Sequence, residues 1–256
     1  MNRIAVLSDI HGNLPALEAV LRDVGQAQPD LIVVNGDLAD GPFPRQTLEL
    51  LDGLGSRAVW LRGNGDRWVG EAAAGTFTHP DTQMRDLIEW SARQIPEGHL
   101  KRLANLPLAH HVNLASLGLI DICHATARDD NEMFLVDSSF EHAEAAFADL
   151  TSGIVVLGHC HMPFDRLFNR RRIVNAGSVG MPYGHTGAAW ALLGPDIVLR
   201  RAVYDIEAAS DRILTSGMPG AAEFVDAYVR QVPSDQEAVA VFAATRRTQG
   251  KTRGSA

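Results

Sequence analysis

The sequence predicts a mixed α/β fold with two β-sheets, and three observations support this prediction. Short apolar runs alternate with amphipathic segments between residues 3 and 65, which is the βαβαβ pattern of a mostly parallel sheet. Short strand-like runs with tight turns then recur over residues 108–203, which indicates a second, partly antiparallel sheet. The length of 256 residues and the apolar content of 46% are ordinary for one globular domain.

The spacing of apolar and polar residues predicts the elements of the βαβαβ unit. Asn13 and Pro15 precede apolar residues at helical spacing and suit the N-cap and the first turn of a helix. A loop rich in glycine and proline over residues 40–44 separates the second strand from the next helix. The strands and helices are expected at residues 4–7, 14–26, 31–34, 45–53 and 58–61.

The rest of the chain is predicted to have helical segments on both sides of a strand-rich region. Residues 66–107 and 206–247 have helical spacing, and residues 248–256 are typical of a frayed tail. Strands are expected at about 108–112, 115–122, 153–158, 164–168, 172–174, 187–193 and 197–203. Because no repeat or linker stands out, we expect a single domain over residues 1–256, with its core at about 3–203.

Several predicted strands end in side chains that commonly bind metals. The residues are Asp9 and His11 after the first strand, Asp37 and Asn64 after the next two, and His124, His159 and His161 after two later strands. Parallel strands deliver the residues that follow them to one edge of a sheet, which is where α/β proteins bind their ligands. No single short motif is specific, but their conjunction predicts a metal centre.

The spacing of these side chains favours two metal ions over one. Asp9 and His11 are one residue apart, so an extended backbone turns both toward one ion. His159 and His161 have the same relation. The two carboxylate oxygens of Asp37 make it the natural bridge between ions. The full set of candidate side chains exceeds the roughly four to six ligands that one transition ion takes. Nitrogen and oxygen ligands are compatible with Mn, Fe, Zn, Co and Ni, so the sequence does not identify the metal.

The charge of such a centre indicates a phosphate ester as the substrate. Two divalent ions contribute about +4, and Asp9, Asp37 and a bridging hydroxide contribute about −3, so roughly one positive charge remains. A site of this kind attracts a small phosphate ester and generates hydroxide near neutral pH. The expected nucleophile is therefore a metal-bridging hydroxide held by Asp37.

Composition argues against other classes of function. The net charge of −8 argues against nucleic acid as a partner. The sequence shows no signal peptide and no apolar stretch that could span a membrane, so we expect a cytoplasmic protein. Cys123 and Cys160 make no disulfide framework, and we expect both to be small buried apolar residues rather than metal ligands. The sequence gives no information about the oligomeric state.

Taken together, the motifs resemble those of the calcineurin-like metallophosphoesterases over about residues 3–190. The resemblance rests on Asp9-x-His11, Gly36-Asp37 with Asp40, Gly63-Asn64 with Asp66, His124, and Gly158-His159-x-His161. The chain looks most like the small bacterial and archaeal phosphodiesterases of this family, which have a stretch comparable to residues 175–180.

The resemblance implies a four-layer αββα sandwich of two mixed sheets flanked by helices. It also implies a metal-dependent phosphoesterase, with phosphodiesters as the favoured substrates and two divalent ions as cofactors. One ion would be held by Asp9, His11, Asp37 and His161, and the other by Asp37, Asn64, His124 and His159.

One position departs from the family pattern. The family usually has a histidine between the Asn and the Asp of the third motif, where it protonates the leaving group or steadies the phosphate. Gly65 stands there in this chain, which leaves the proton donor open. We also expect the missing imidazole to leave room beside the ions for the second substituent of a diester. His185 is a candidate proton donor, because it follows a glycine-rich stretch at residues 177–184.

Three further residues have more than one interpretation. Arg128 could bind a phosphate oxygen of the substrate or form a surface ion pair with Asp129 or Asp130. Asp66 could orient a ligand, but a structural role as the cap of the following helix is favoured. Asp40 is expected to support the loop or to contact a metal ligand.

Two alternatives to a phosphodiesterase remain. The same scaffold could serve a nucleotide pyrophosphohydrolase or a nuclease, although the acidic composition argues against a long nucleic acid. The other alternative is a non-catalytic, metal-binding scaffold protein. Its signature would be lost ligands, and every expected ligand is present here.

Overall fold

The described residues form two mixed sheets of five strands each. The structure is a computed structural model that describes residues 1–253, with side chains for residues 1–246. The strands are β1 (Ile4–Leu7), β2 (Leu31–Asn35), β3 (Ala58–Leu61), β4 (Ala109–Leu114), β5 (Gly118–Cys123), β6 (Ile154–Leu157), β7 (Phe164–Phe168), β8 (Arg171–Asn175), β9 (Ala188–Leu193) and β10 (Ile197–Ala202). Their orders are β10-β9-β1-β2-β3 and β4-β5-β6-β8-β7. Strands β1, β2 and β3 are parallel, as are β5, β6 and β8.

Helices cover the outer faces of both sheets. They are α1 (Leu14–Ala27), α2 (Pro44–Asp52), α3 (Asn64–Ala73), α4 (Thr82–Gln94), α5 (Glu97–Ala104), α6 (Phe140–Ala146), α7 (Ile206–Leu214), α8 (Ala221–Phe224) and α9 (Asp235–Arg253). A 3₁₀ turn over Gly55–Arg57 and a π-helical turn over Val225–Arg230 complete them. Helices α3, α4 and α5 confirm the predicted helical region, whereas α6 was not predicted.

The last helix extends further than the sequence predicted. A frayed tail was expected from residue 248, but α9 continues to Arg253. The glycine at position 250 does not end the helix, because one glycine costs a helix only about 1 kcal/mol relative to alanine. Residues 254–256 of the predicted tail lie outside the described residues. Within residues 1–253, no helix is both long and apolar enough to cross a membrane.

Separate apolar cores between the layers give the αββα order. Ile4 and Val6 of β1 belong to the core between the two sheets, together with Ile122 of β5. Ala5 and Leu7 point to the opposite face and join the core beneath α1. Because side chains alternate along a strand, β1 is buried on both faces, as is usual for a central parallel strand. A further core lies between the second sheet and helices α6 and α9. These layers confirm the four-layer sandwich.

The parallel strands of both sheets end at one common edge. The N–H of Gly158, after β6, donates to the carbonyl of His124, after β5, at 2.8 Å. The N–H of Val179, after β8, donates to the carbonyl of Ser8, after β1, at 2.9 Å. The second bond crosses from one sheet to the other, so the loops of both sheets form a single site.

The core between the sheets can be tested by a cavity-forming substitution. Ile122 is fully buried there, so Ile122→Ala should lower the free energy of unfolding by about 2–5 kcal/mol. Val198→Ala is the control, because the side chain of Val198 is 50% exposed on β10, and its effect should stay within about 0.5 kcal/mol. Chemical denaturation measures both values. Equal destabilisation by the two substitutions would contradict this location of the core.

Candidate metal centre

The loops after the strands hold side chains in an unusual backbone conformation. The φ angles are 56° at Asp9, 47° at His11, 52° at Asp37, 65° at His159 and 57° at His161. Residues other than glycine seldom adopt this left-handed region, and such strain clusters at functional sites. An extended backbone was expected at the Asp-x-His and His-x-His pairs, and that expectation was wrong. Oδ1 of Asp9 still lies 4.0 Å from Nε2 of His11, whereas His159 and His161 lie in two different groups of side chains and do not turn toward one ion as expected.

Backbone hydrogen bonds hold this conformation in place. The N–H of Asp9 donates to the carbonyl of Gly36 at 3.0 Å, and the N–H of His11 donates to the carbonyl of Asp37 at 2.9 Å. The loop after β1 is therefore tied to the loop after β2. This pairing continues the parallel register of the two strands beyond their ends.

Glycines precede several of the predicted ligands because a side chain would not fit. A Cβ atom at Gly63 would overlap the carboxylate of Asp37. A Cβ atom at Gly158 would overlap the hydroxyl of Ser8 and approach the carboxylate of Asp9. The Gly-Asn and Gly-His pairs of the sequence are therefore a steric requirement of closely packed loops.

The first group of side chains consists of Asp9, His11 and His161. The Nε2 atoms of His11 and His161 lie 3.0 Å apart. The Oδ1 atom of Asp9 lies 3.3 Å from Nε2 of His161 and 4.0 Å from Nε2 of His11. All three side chains are buried.

The second group consists of Asp37, His124 and His159, and Asn64 lies beside it. The Oδ2 atom of Asp37 lies 3.4 Å from Nε2 of His124. One terminal atom of the Asn64 amide lies 2.9 Å from Nδ1 of His159. The Nε2 atom of His159 is buried and has no hydrogen-bond partner among the described residues. A buried polar atom without a partner is costly, and a metal ion or another ligand would remove that cost.

Both carboxylates, and not Asp37 alone, lie between the two groups. Oδ2 of Asp37 is 3.7 Å from Nε2 of His11 and thus reaches the first group as well as the second. Oδ1 of Asp9 is 3.8 Å from Nε2 of His124 and thus reaches the second group. The sequence singled out Asp37 as the natural bridge, whereas the structure gives Asp9 a comparable position.

The outer nitrogens of the histidines are held by acceptors. Nδ1 of His124 donates to the backbone carbonyl of Asn35 at 2.8 Å, and Nδ1 of His161 donates to the carbonyl of Met181 at 2.9 Å. Because a carbonyl can only accept, the proton of each neutral ring sits on Nδ1, and the lone pair of Nε2 points into the site. Metal-binding histidines are usually oriented in this way.

The histidines respond to the charge of the carboxylates. Burial lowers the pKa of His124, but Asp37 above all outweighs burial and raises that pKa to about 10. Burial also lowers the pKa of His11, while Asp40 raises it to about 9. Burial and the neighbouring His124 lower the pKa of His159 to about 4. The centre therefore attracts positive charge and keeps one imidazole neutral, and both properties suit metal binding.

The two predicted supporting aspartates contact the loops that carry the ligands. The carboxylate of Asp66 accepts N–H bonds from Asp37 and Gly63 at 2.9 Å and from Leu38 at 3.0 Å. Asp66 thus caps α3 and also fixes the backbone at Asp37, so both interpretations of this residue fit the structure. Oδ2 of Asp40 lies 3.0 Å from Nδ1 of His11. Asp40 therefore contacts a predicted ligand directly.

Arg128 and His185 are not brought to the two groups. Arg128 forms two hydrogen bonds with Glu132, at 2.7 and 2.8 Å, a partner that neither interpretation named. Asp130 is held instead by Arg67, at 2.9 Å. His185 is exposed, and no contact within the described residues joins it to either group. Their roles in substrate binding and proton donation stay predictions.

The two cysteines lie close to the groups but belong to neither. Both are fully buried in the core of the second sheet. Burial raises the pKa of the Cys160 thiol to about 12 and that of Cys123 further still, so both thiols are neutral. The Nδ2 of Asn175 donates to the Sγ of Cys160 at 3.2 Å, so this sulfur already has a hydrogen-bond partner outside the two groups.

The groups that surround the histidines were not predicted from the sequence. Asn35 and Met181 act through backbone carbonyls, which no side-chain motif reveals. The rings of Tyr183 and Phe242 lie 5.8 and 6.4 Å from the ring of His161. Phe242 belongs to α9, far along the chain, and no local pattern indicates that it reaches the site.

The chain is similar to known phosphoesterases in sequence and in structure. An uncharacterized protein of Methanocaldococcus jannaschii is 27% identical over 236 residues, which cover 84% of this chain and 93% of that protein. The phosphodiesterase YfcE of Escherichia coli is 26% identical over 208 residues, which cover 77% of this chain and 90% of YfcE.

Two solved structures share the fold over most of the chain. A hypothetical protein from Pyrococcus horikoshii OT3 has a TM-score of 0.77 at 19% identity, covering 91% of this chain and all of that one. A metallophosphoesterase from Sphaerobacter thermophilus has a TM-score of 0.69 at 26% identity, covering 88% of this chain and 96% of that one. The sequence pattern of the calcineurin-like phosphoesterases matches residues 2–199, which is most of the chain and includes every predicted ligand. The chain therefore belongs to the calcineurin-like phosphoesterase family.

Proposed function

We propose that this phosphoesterase hydrolyses phosphodiesters with two divalent metal ions. The proposed ligands are Asp9, His11, Asp37 and His161 for one ion, and Asp37, Asn64, His124 and His159 for the other, with Asp9 near both. One observation carries the proposal: the Nε2 atoms of His11 and His161 lie only 3.0 Å apart. Two nitrogen lone pairs at this distance repel each other unless a proton or a metal ion lies between them. The donor set suits a transition ion, with manganese among the candidates.

The chain supplies the charge balance and the geometry of the site. When bound, the two ions would lower the pKa of a water molecule and polarise the phosphate oxygens. The backbone N–H of His159 donates to both oxygens of Asp9, at 3.0 and 3.1 Å. The N–H of Gly65 donates to Oδ1 of Asp37 at 2.6 Å. These bonds fix both carboxylates, so that Oδ2 of Asp37 faces both groups.

The relatives support a phosphodiester as the substrate. YfcE, which aligns with most of this chain, is named a phosphodiesterase. The negative net charge supports a small ester over a nucleic acid. The convergence of every predicted ligand supports an enzyme over a non-catalytic scaffold. A cytoplasmic location stays a prediction.

Asp40 limits which side chains position 65 can accept. A Cβ atom at position 65 would lie 2.7 Å from the carboxylate of Asp40. The carboxylate of Asp40 therefore occupies the position of the first side-chain atom at residue 65, while the room for a second ester substituent beside the ions stays a prediction. A Gly65→His variant would therefore force Asp40 to move. A change in its activity could not be assigned to proton donation alone.

Metal content should separate the roles of the ligands. Asp37→Ala should abolish hydrolysis and weaken both ions, because Oδ2 of Asp37 lies within 3.7 Å of a histidine nitrogen in each group. Asn64→Ala should weaken one ion. Cys160→Ala is the control and should keep the full metal content, since its thiol is neutral and is hydrogen-bonded to Asn175. Elemental analysis of the purified proteins measures ions per chain. Two tightly bound ions and near-normal turnover in Asp37→Ala would refute the assignment.

The conflict between Gly65 and Asp40 predicts a compensating pair of substitutions. Gly65→Ala should lower the free energy of unfolding by about 1–3 kcal/mol through overpacking, and the double variant Gly65→Ala/Asp40→Gly should lose less than the sum of the two single losses. Gly98→Ala on α5 is the control, because the space that its new methyl group would enter is open and the helix should tolerate it. Thermal or chemical denaturation measures the free energy of unfolding of each variant. Additive effects of the two substitutions would show that they do not share this space.

The absence of a side chain at position 65 predicts a strong dependence on the leaving group. A positioned general acid contributes roughly 10²–10⁴ in rate, most of all for basic leaving groups. Aryl diesters such as bis(p-nitrophenyl) phosphate should therefore react well, and alkyl monoesters poorly. Steady-state rates across a leaving-group series, with Mn, Fe, Co, Ni and Zn each supplied in turn, test both substrate class and metal. A flat dependence on leaving-group pKa, with chemistry rate-limiting, would mean that another residue donates the proton, and His185 would be examined first.

A further inference from the structure

Two aromatic side chains form a corner beside the first metal-binding group. The rings of Tyr183 and Phe242 both lie close to the ring of His161, and their centroids are 5.6 Å apart. Both side chains are partly exposed. We call Tyr183 and Phe242 the aromatic corner. The aromatic corner therefore lies directly beside a proposed metal ligand, and part of each ring is open to solvent.

The geometry of the aromatic corner suits a flat group. The planes of the two rings are inclined at 83°, so they present nearly perpendicular surfaces. A planar ring can stack on one of them while its edge meets the other, and both arrangements are favourable for aromatic pairs. A small alkyl group would contact much less of this surface.

The helix that carries Phe242 lies outside the part of the chain that matches the family. The match ends at residue 199, and α9 begins at Asp235. The metal ligands all precede that boundary. The contact between Phe242 and the ring of His161 therefore joins a proposed metal ligand in the matched part of the chain to a residue beyond it.

Contacts just before α9 and along it hold the aromatic corner in place. Arg246 forms an ion pair with Asp137 at 2.8 Å, in the loop that precedes α6. The carbonyl of Pro233, just before α9, accepts the N–H of Gly184 at 2.9 Å. Ala238 packs into the core of the second sheet. A surface held in this way loses little freedom when a ligand binds, which favours affinity.

We propose that the aromatic corner binds an organic substituent of the substrate and favours a planar aryl group over a small alkyl group. This inference rests on the proposed function, because it requires a phosphate ester at the metal centre. Tyr183 and Phe242 would contact the substrate and select it, while the metal-binding residues would act on any ester.

Two non-hydrolysable ligands test the selection without relying on turnover. Phenylphosphonate and methylphosphonate have the same charged group and differ only in the substituent. Calorimetric titration of the protein loaded with Mn²⁺ gives both Kd values. The wild-type chain should bind phenylphosphonate roughly three- to tenfold more tightly. In Phe242→Ala this ratio should fall toward one through weaker binding of phenylphosphonate, with methylphosphonate unaffected.

Matched variants separate ring contact from changes in the fold. Val241→Ala is the control, since Val241 is the exposed neighbour of Phe242 on α9, and it should keep the wild-type ratio. Tyr183→Ala should lower the ratio, whereas Tyr183→Phe, which keeps the ring, should preserve it. Phe242→Leu keeps an apolar side chain in the packing of α9 but removes the ring, so it should still lower the preference for phenylphosphonate. This variant replaces Phe242→Ala in the test if the alanine variant does not fold.

The outcomes distinguish the two proposals. An unchanged ratio in both Phe242→Leu and Tyr183→Ala, with full metal content, would overturn the role of the aromatic corner and leave the phosphoesterase assignment intact. If neither phosphonate bound the metal-loaded wild-type chain, the proposed phosphate-ester site would fail, and this inference would fail with it.

Discussion

The site depends on two buried carboxylates that must stay charged next to each other. Asp9 and Asp37 are both almost completely buried, and burying an uncompensated charge is costly. The histidines of both groups lower the pKa of each carboxylate against the opposing effect of burial. Backbone N–H groups donate to oxygens of both carboxylates. The surrounding loops are arranged to supply this compensation, and a divalent ion in each group would complete it.

The strained loops are tolerated only because the sheets are rigid. A non-glycine residue in the left-handed region costs on the order of 1–3 kcal/mol. Five of the proposed ligands have this conformation. Strand β1 is buried on both faces and paired on both edges, so the loop that follows it begins from a fixed point. Hydrogen bonds between the loops after β1, β2 and β8 then hold the strained residues in one geometry.

The sequence predicts the parts of this protein that depend on local patterns. Apolar runs identify the strands, and a residue placed just after a parallel strand lies at the sheet edge, so the proposed metal ligands follow directly from the sequence. The left-handed turns at Asp9 and His11 could not be read in the same way, because short polar motifs fit several backbone conformations. The position of Asp40 against Gly65 depends on how two loops pack. The contact of Phe242 with His161 joins residues far apart in sequence, and no periodicity encodes it.

The position of α9 in the chain has a consequence for the order in which the protein is made. Every proposed ligand is translated before residue 162, whereas α9 begins at Asp235. Both sheets and the metal centre can therefore assemble while the aromatic corner still lacks one of its two rings. Closing a contact over such a sequence separation is slow compared with forming local structure. A nascent chain would thus complete the proposed metal site before it acquires the surface proposed to distinguish one ester from another.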